Sequence, residues 1–125
     1  MVRSFKELVV WKRAYELALE VYSSSGRFPR SETFGLVVQM RRAAVSIVAN
    51  IAEGYGRGHR NEYIQFLRMA YGSGGELETQ RTLSKDLGYL SEEKFERGSK
   101  LLLEVQKMLA SMLRKFDSES QKRRA

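Results

Sequence analysis

QMRRAAVSIVANIAEG, residues 39–54, is the stretch whose reading decides how this chain folds. At helical spacing it is apolar on almost every side, through Met40, Ala43, Ala44, Val45, Ile47, Val48, Ile51 and Ala52. Gln39, Arg42, Ser46, Asn50 and Glu53, at steps of three, four, four and three, stack into a single polar line. A helix apolar nearly all round has to be covered nearly all round. Its polar line must then meet another subunit, another polar helix or a narrow strip of water. An assembled helical protein is expected, rather than a lone surface helix.

Working outward, a first helix is predicted from about Leu8 to Ser24, with Trp11, Ala14, Tyr15, Ala18, Val21 and Tyr22 as its apolar stripe. Ser23-Ser24-Ser25-Gly26 and Phe28-Pro29 end it. The second helix is expected to start near Ser31 as its cap, with Glu32 in the first turn, and to reach about Glu53 before Gly54-Tyr55-Gly56-Arg57-Gly58. A third pattern starts near Asn61 and carries Tyr63, Phe66, Leu67, Ala70, Leu77, Leu83 and Leu87, ending at Gly88. Gly72, Gly74 and Gly75 interrupt it at roughly 1 kcal/mol each against alanine. A loop at 72–75 between two short helices is therefore the rival reading. The apolar phase kept from Phe66 to Leu77 favours one helix. The fourth opens at Ser91, with Glu92 and Glu93 in its first turn, and runs through Phe95, Gly98, Leu102, Val105, Met108 or Leu109, Met112 and Phe116.

Short connections make sequential helices antiparallel neighbours. The expected fold class is all-α, an antiparallel up-down-up-down four-helix bundle over residues 1–116, followed by a basic, disordered tail at 117–125. Arg41 falls in the apolar stripe with Phe34, Val38, Val45 and Val48, opposite the glycine cluster and the acids Glu76 and Glu78. The glycines are expected to make room for Arg41 and one of the acids to pair with it. The alternative is that Arg41 snorkels outward along its methylene stem.

Composition narrows the function. The chain of 125 residues is one domain by size, and 42% hydrophobic content is ordinary for a soluble protein. No apolar run reaches the ~18 residues a membrane span requires, and MVRSFKELVV has no signal-peptide core. A cytoplasmic protein without membrane contact is expected. Zero cysteines exclude disulfides and thiolate metal sites. A formal charge of +7 and a pI near 9.9 favour polyanionic partners, with a plainly solvated basic surface as the alternative.

The residues also carry a resemblance. Phe5, Leu8, Val10 and Trp11 are followed by Phe28-Pro29, Glu32 and Gly35-Leu36. Then come Gln39, Arg41-Arg42-Ala43-Ala44, Ser46-Ile47 and Asn50-Ile51-Ala52-Glu53-Gly54, with Phe66-Leu67, Gly72-Ser73 and Glu76-Leu77 after them. Over about residues 5 to 116 the sequence resembles the 23S rRNA intervening-sequence protein family. The resemblance implies an antiparallel four-helix bundle assembling into a ring, typically a homopentamer. It further implies kinship with the accessory variability proteins of diversity-generating retroelements, basic pentameric barrels that bind nucleic acid and a reverse transcriptase. It implies no settled biochemical activity. Gly74-Gly75 departs from the larger residues expected there.

In an up-down bundle both termini and the second connection share one end. Arg3, Lys6, Arg57, Arg60, Arg114, Lys115, Lys122, Arg123 and Arg124 gather there against Glu7, Glu53, Glu62, Asp117 and Glu119, nine against five. The opposite end cancels. A ring would then have one basic face, suited to phosphate backbones. Tyr55, Arg57, His59 and Arg60 in the glycine-rich loop 54–60 are the candidate nucleic-acid contacts, with Lys122, Arg123 and Arg124 of the tail. RNA is the favoured ligand, and an acidic protein or a nucleic-acid enzyme docking on the same face is the rival. Gln39, Arg41, Arg42, Ser46, Asn50, Glu53 and Glu76 are assigned to helix packing and assembly.

Catalytic patterns are missing. His59 has no evident partner, Glu76 and Glu78 diverge on a helix, and no Glu-x-x-His pair or P-loop occurs. No enzymatic activity, cofactor or metal is expected.

Overall fold

The computed structural model describes residues 3–124. Its main elements are α1 (Val9–Ser25), α2 (Val38–Gly56), α3 (Arg60–Asp86) and α4 (Glu92–Arg124), and no strand occurs among the described residues. α1 and α3 each pack on both α2 and α4, so the four helices form a four-sided bundle around one core. Leu17, Ile47, Ile51, Leu67, Leu77 and Leu109 are completely buried in it, each contributing about 1.5–3 kcal/mol of transfer free energy.

α1 buries Val10, Ala14, Leu17 and Val21, at steps of four, three and four. This differs from the stripe expected: Tyr15 and Tyr22 are exposed, and Leu17 takes the core. The aromatics cover one another instead, Trp11 lying between Phe5 (ring centroids 5.3 Å) and Tyr15 (5.1 Å).

The entry to α2 is irregular. Arg30–Glu32 forms a 3-10 turn and Thr33–Val37 a π-type turn broken at Gly35 (φ −108°, ψ −110°). Ser31 does not act as the cap. The Glu32 carboxylate does, accepting from the Leu36 N–H at 3.3 Å and from the Tyr89 hydroxyl at 3.2 Å. A Cβ at residue 35 would lie 2.8 Å from Glu32 Oε1, so glycine lets the carboxylate fold over the break. Regular helix thus begins at Val38 and continues past Glu53 to Gly56.

α3 is unbroken across Gly72, Gly74 and Gly75, and the rival loop does not occur. It buries Leu67, Ala70, Gly74, Leu77, Arg81 and Ser84, a strict alternation of three and four. Leu83 and Leu87 are exposed. The step of six from Leu77 to Leu83 turns the chain roughly 240°, off the core face. α4 starts after Ser91, whose Oγ accepts from the Lys94 N–H at 3.2 Å. The tail expected to be disordered from 117 is a continuation of α4 to Arg124, and Ala125 lies outside the described residues. Arg60 and Arg68 of α3 hold this last stretch at Phe116, Ser120 and Asp117.

The segment Arg30–Gly56 includes an 18-residue stretch of mean hydropathy 1.2, long and apolar enough to cross a membrane, although Arg41-Arg42 interrupts its apolar run. Arg41 and Arg42 lie within it, Gly35 breaks its backbone, and Met40, Ala44, Ile47 and Ile51 are fully buried against the other helices. One face of the segment is thus a core face, while 33% of its most apolar stretch is buried within one chain.

Candidate functional site

The α2–α3 connection is three residues, Arg57-Gly58-His59, not the flexible seven-residue loop expected at 54–60. Gly58 supplies the left-handed turn (φ 74°) that this brevity demands. His59 follows in extended conformation as the cap of α3, where its carbonyl accepts from the Tyr63 N–H at 2.9 Å and its imidazole is exposed. Tyr55 packs edge-on to Tyr63, with centroids 6.1 Å apart. Arg57 pairs with Glu53 at 2.9 Å and lies 5.2 Å from the Phe66 ring centroid. Its side chain remains about half exposed and can reach a ligand.

Arg60 is differently employed. Its Nη2 donates to the Phe116 carbonyl at 2.5 Å and to Ser120 Oγ at 2.9 Å, and its guanidinium lies over the Phe116 ring at 5.3 Å. Glu119 stands 3.8 Å from its Nε. Through these contacts Arg60 clamps α3 to α4. Lys122 and Arg123 project from the last turn of α4 as exposed side chains, with no ion pair within 4 Å among the described residues. The side chain of Arg124 lies outside the described residues.

The polar line of α2 meets a polar helix, the second of the three possibilities. Ser46 Oγ and Ser73 Oγ of α3 share a hydrogen bond of 2.9 Å, and Asn50 Nδ2 donates to the Ser46 carbonyl and hydroxyl at 2.8 and 2.9 Å. Gln39, Arg42 and Glu76 line the adjoining groove of about 310 Å³. One turn further on, a Cβ at Gly54 would lie 2.7 Å from Phe66 Cβ and 3.1 Å from Tyr63 Cδ1, so this glycine sets how closely α2 and α3 approach. Burial, and secondarily the nearby Tyr55, hold the Tyr63 phenol above its usual pKa. Burial also raises Tyr89, with Glu32 acting in the same direction.

Arg41 does not pair with Glu76 or Glu78. Its Nε donates to Ser25 Oγ at 3.0 Å and its Nη2 to the Tyr22 carbonyl at 3.2 Å, with the guanidinium 4.6 Å from the Tyr22 ring centroid. It thereby places a cation on the carbonyl-rich C-terminal turn of α1. Gly72 and Gly75 face open space, and Gly74 receives the Gln106 amide of α4 rather than Arg41.

The arginine that is buried is Arg81, at 1% exposure. Its Nη2 donates to the Phe95 carbonyl at 2.6 Å and to Ser99 Oγ at 3.4 Å, and the ring of Phe95 lies 5.3 Å away. A Cβ at Gly98 would collide with its guanidinium. Burial pulls its pKa below the usual arginine range, opposed by the charge of Glu20. Sequence reasoning passed over Arg81 because QRTLSKD reads as a solvated face. The available signal was its place in the three-four alternation from Leu67 to Ser84, facing a glycine at the matching position of α4.

A second missed feature lies on the outside of α4. Lys100, Lys107, Lys115 and Lys122, at steps of seven, eight and seven, are all exposed on one face of that helix. Glu104 interrupts the row and is tied to Arg13 of α1 at 3.2 Å.

Comparison with known proteins accords with the fold. The model of the 23S rRNA-intervening sequence protein family matches residues 6–111. No curated protein matches the chain. Among solved structures, the chain is similar to a protein of unknown function from the S23 ribosomal protein family of Bacteroides thetaiotaomicron. The two share 26% identity and superpose with a TM-score of 0.76, over 84% of this chain and 98% of the other. With most of its length matched and its helices in place, the chain belongs to the 23S rRNA-intervening sequence protein family.

Proposed function

We propose that this chain is a non-enzymatic nucleic-acid-binding protein of the cytoplasm, with RNA as its favoured ligand. It acts as an antiparallel up-down-up-down bundle assembled into a ring-like homo-oligomer, most simply a pentamer. The observation that carries the binding reading is the charge gradient along α4. Its first turns nearly cancel, with Glu92, Glu93 and Glu96 against Lys94 and Arg97. Beyond Glu104, Lys107, Arg114, Lys115, Lys122 and Arg123 are exposed without an ion pair within 4 Å among the described residues. The acids of that half are engaged: Asp117 with Arg68 at 3.4 Å and Glu119 with Arg60 at 3.8 Å. From Lys100 to Lys122 the lysine row extends ~33 Å along the helix. A row of that kind suits a phosphate backbone, which releases counterions as each cation engages. Arg57, His59 and Tyr55 extend the basic area at the α2–α3 turn.

Contact order supports the antiparallel arrangement of α3 and α4, since Arg60 meets Phe116, Tyr71 meets Gln106 and Arg81 meets Phe95. Exposed apolar area supports assembly. Only 33% of the most apolar window of Arg30–Gly56 is buried within one chain, and Phe34 is 92% exposed. Phe34, Val38, Val45 and Tyr22 border an open groove that a second copy can cover.

Binding of RNA and DNA of unrelated sequence, at about 50 and about 200 mM salt, tests the reading. Affinity should fall steeply between the two, and by ~10-fold or more on joint Lys115→Glu, Lys122→Glu and Arg123→Glu substitution. A binding curve that ignores the reversal rejects this face. Light scattering should give about 72 kDa, five chains of 14.4 kDa, and a single-chain mass rejects the ring.

A further inference from the structure

Arg81 is the most deeply buried charge described, and only one of its three nitrogens is hydrogen-bonded. Nη2 serves Phe95 and Ser99, but Nε and Nη1 have no acceptor. That leaves three N–H groups unsatisfied. No carboxylate lies within 4 Å of the guanidinium among the described residues. Charges as buried as this are almost always paired, because an uncompensated one costs several kcal/mol of desolvation. Gly98 shows that the sequence accommodates the group in place: any side chain there would displace the guanidinium.

Beside it, between α3 and α4, is a cavity of about 260 Å³ lined by Arg81. Phe95, Leu102 and Leu103 supply an apolar wall, and Ser99 and Gln106 add polar groups. Glu78 also borders the cavity but is itself exposed, where water screens its charge. Glu20 acts on Arg81 only through its charge, without an ion pair within 4 Å among the described residues, so the space combines a cation lacking a contacting anion with a hydrophobic surface. Nε and Nη1 are covered from solvent as the side chains stand, so a carboxylate in the cavity reaches them only once the guanidinium turns from its place on Gly98.

We propose that this cavity is a binding site for a small monocarboxylate with a short apolar chain, its carboxylate on Arg81 and its chain along Phe95, Leu102 and Leu103. The site is distinct from the lysine row and does not depend on nucleic-acid binding. Inorganic phosphate satisfies the charge but leaves the apolar wall empty, and acetate is too short to cover it.

The full chain titrated with hexanoate, acetate, hexanamide and inorganic phosphate, followed by ligand-observed NMR, tests the proposal. Hexanoate should bind saturably, and hexanamide, which has the same shape without the charge, at least ~10-fold more weakly. Arg81→Met should abolish hexanoate binding. Should that variant fail to fold, Leu103→Glu, which sets a charge like the ligand's at the cavity wall and leaves Arg81 in place, carries the test and should likewise abolish it. Equal binding of hexanoate and hexanamide overturns the site, as does hexanoate binding that survives either substitution. The absence of saturable binding overturns it too, and leaves Arg81 to Glu78 or to an acid of a neighbouring copy.

Discussion

At the centre of the α2–α3 seam the polar groups are short and answer one another, with the longer Gln39, Arg42, Glu76 and Gln80 along the adjoining groove. Ser46 bonds Ser73, Asn50 bonds Ser46, and the closest approach is made by Gly54 against the anchored Cβ of Phe66. Where α3 meets α4, the polar groups are long and lie across the helix they face. Arg81 lies on Gly98, Gln106 on Gly74 and Arg60 on Phe116, and each keeps a buried atom without a hydrogen bond: Arg81 Nε and Nη1, Gln106 Oε1, Arg60 Nε. Short side chains can be fully satisfied in a narrow seam and fix its register. Long ones reach across to the facing helix and leave donors or acceptors over. The first seam leaves one such atom, Gln80 Oε1 at the groove beside Ser46 and Ser73; the second leaves four, on three residues.

The glycines give the largest test of this contrast. Gly54→Ala sets a Cβ against an atom that cannot move without its backbone. It should cost about 1–3 kcal/mol in denaturant unfolding, after the helix preference of alanine has been counted. Gly74→Ala meets instead the far end of Gln106, whose amide can swing outward at the loss of its 2.9 Å bond to the Tyr71 carbonyl. The gain of about 1 kcal/mol in helix propensity offsets that loss, so stability should stay within ~0.5 kcal/mol of the parent. Equal costs at the two glycines would mean that the seams do not differ in this way.

A smaller effect is expected from Ser73→Ala. The variant leaves the Ser46 hydroxyl with Asn50 as its partner and loses one neutral hydrogen bond of 2.9 Å. The expected cost is about 0.5–1.5 kcal/mol, read as a shift in denaturant midpoint without a change in slope. An unchanged midpoint would show that water replaces Ser73 freely, and that the α2–α3 seam is looser than its distances suggest.

The two seams were not equally legible in the sequence. The α2 line could be read from spacing alone, because Ser46, Asn50 and Glu53 are polar residues in an apolar helix and stand out against it. The helices themselves were legible for the same reason, including the continuity of α3 through its glycines. Arg81 could not be read that way, because Gln80, Thr82 and Lys85 around it are polar as well, and one buried arginine among them carries no contrast. Arg41 misled for the converse reason. It stands out in an apolar stripe, but the stripe faces the end of α1, where the Tyr22 carbonyl and Ser25 hydroxyl meet its charge. Periodicity gives the angle of a side chain about its own helix and not the partner across the gap. Arg60 shows the same limit at the basic end: charge count cannot show that its Nη2 bonds Phe116 and Ser120 of α4.

Tyr63 joins the two seams and allows the smallest test. It touches the Gly54 approach on one side, and on the other its ring meets Phe116 of α4 edge-on, with centroids 5.7 Å apart. Burial is the main reason its phenol is held above the usual 10.0, with Tyr55 adding to it. A group whose pKa is higher in the folded chain keeps its proton where the unfolded chain gives it up. Its contribution is fully present below pH ~10 and is lost as pH rises through the folded value. Stability should therefore decline in the alkaline range, with Tyr89 contributing in the same direction. Tyr63→Phe removes one titrating group and should make that decline shallower, while at neutral pH the variant keeps the edge-on contact with Phe116. An alkaline decline of undiminished slope would mean that Tyr63 ionises as freely in the folded chain as in the unfolded one. The junction between the seams would then be open to water, and the tight α2–α3 approach at Gly54 would not reach as far as α4.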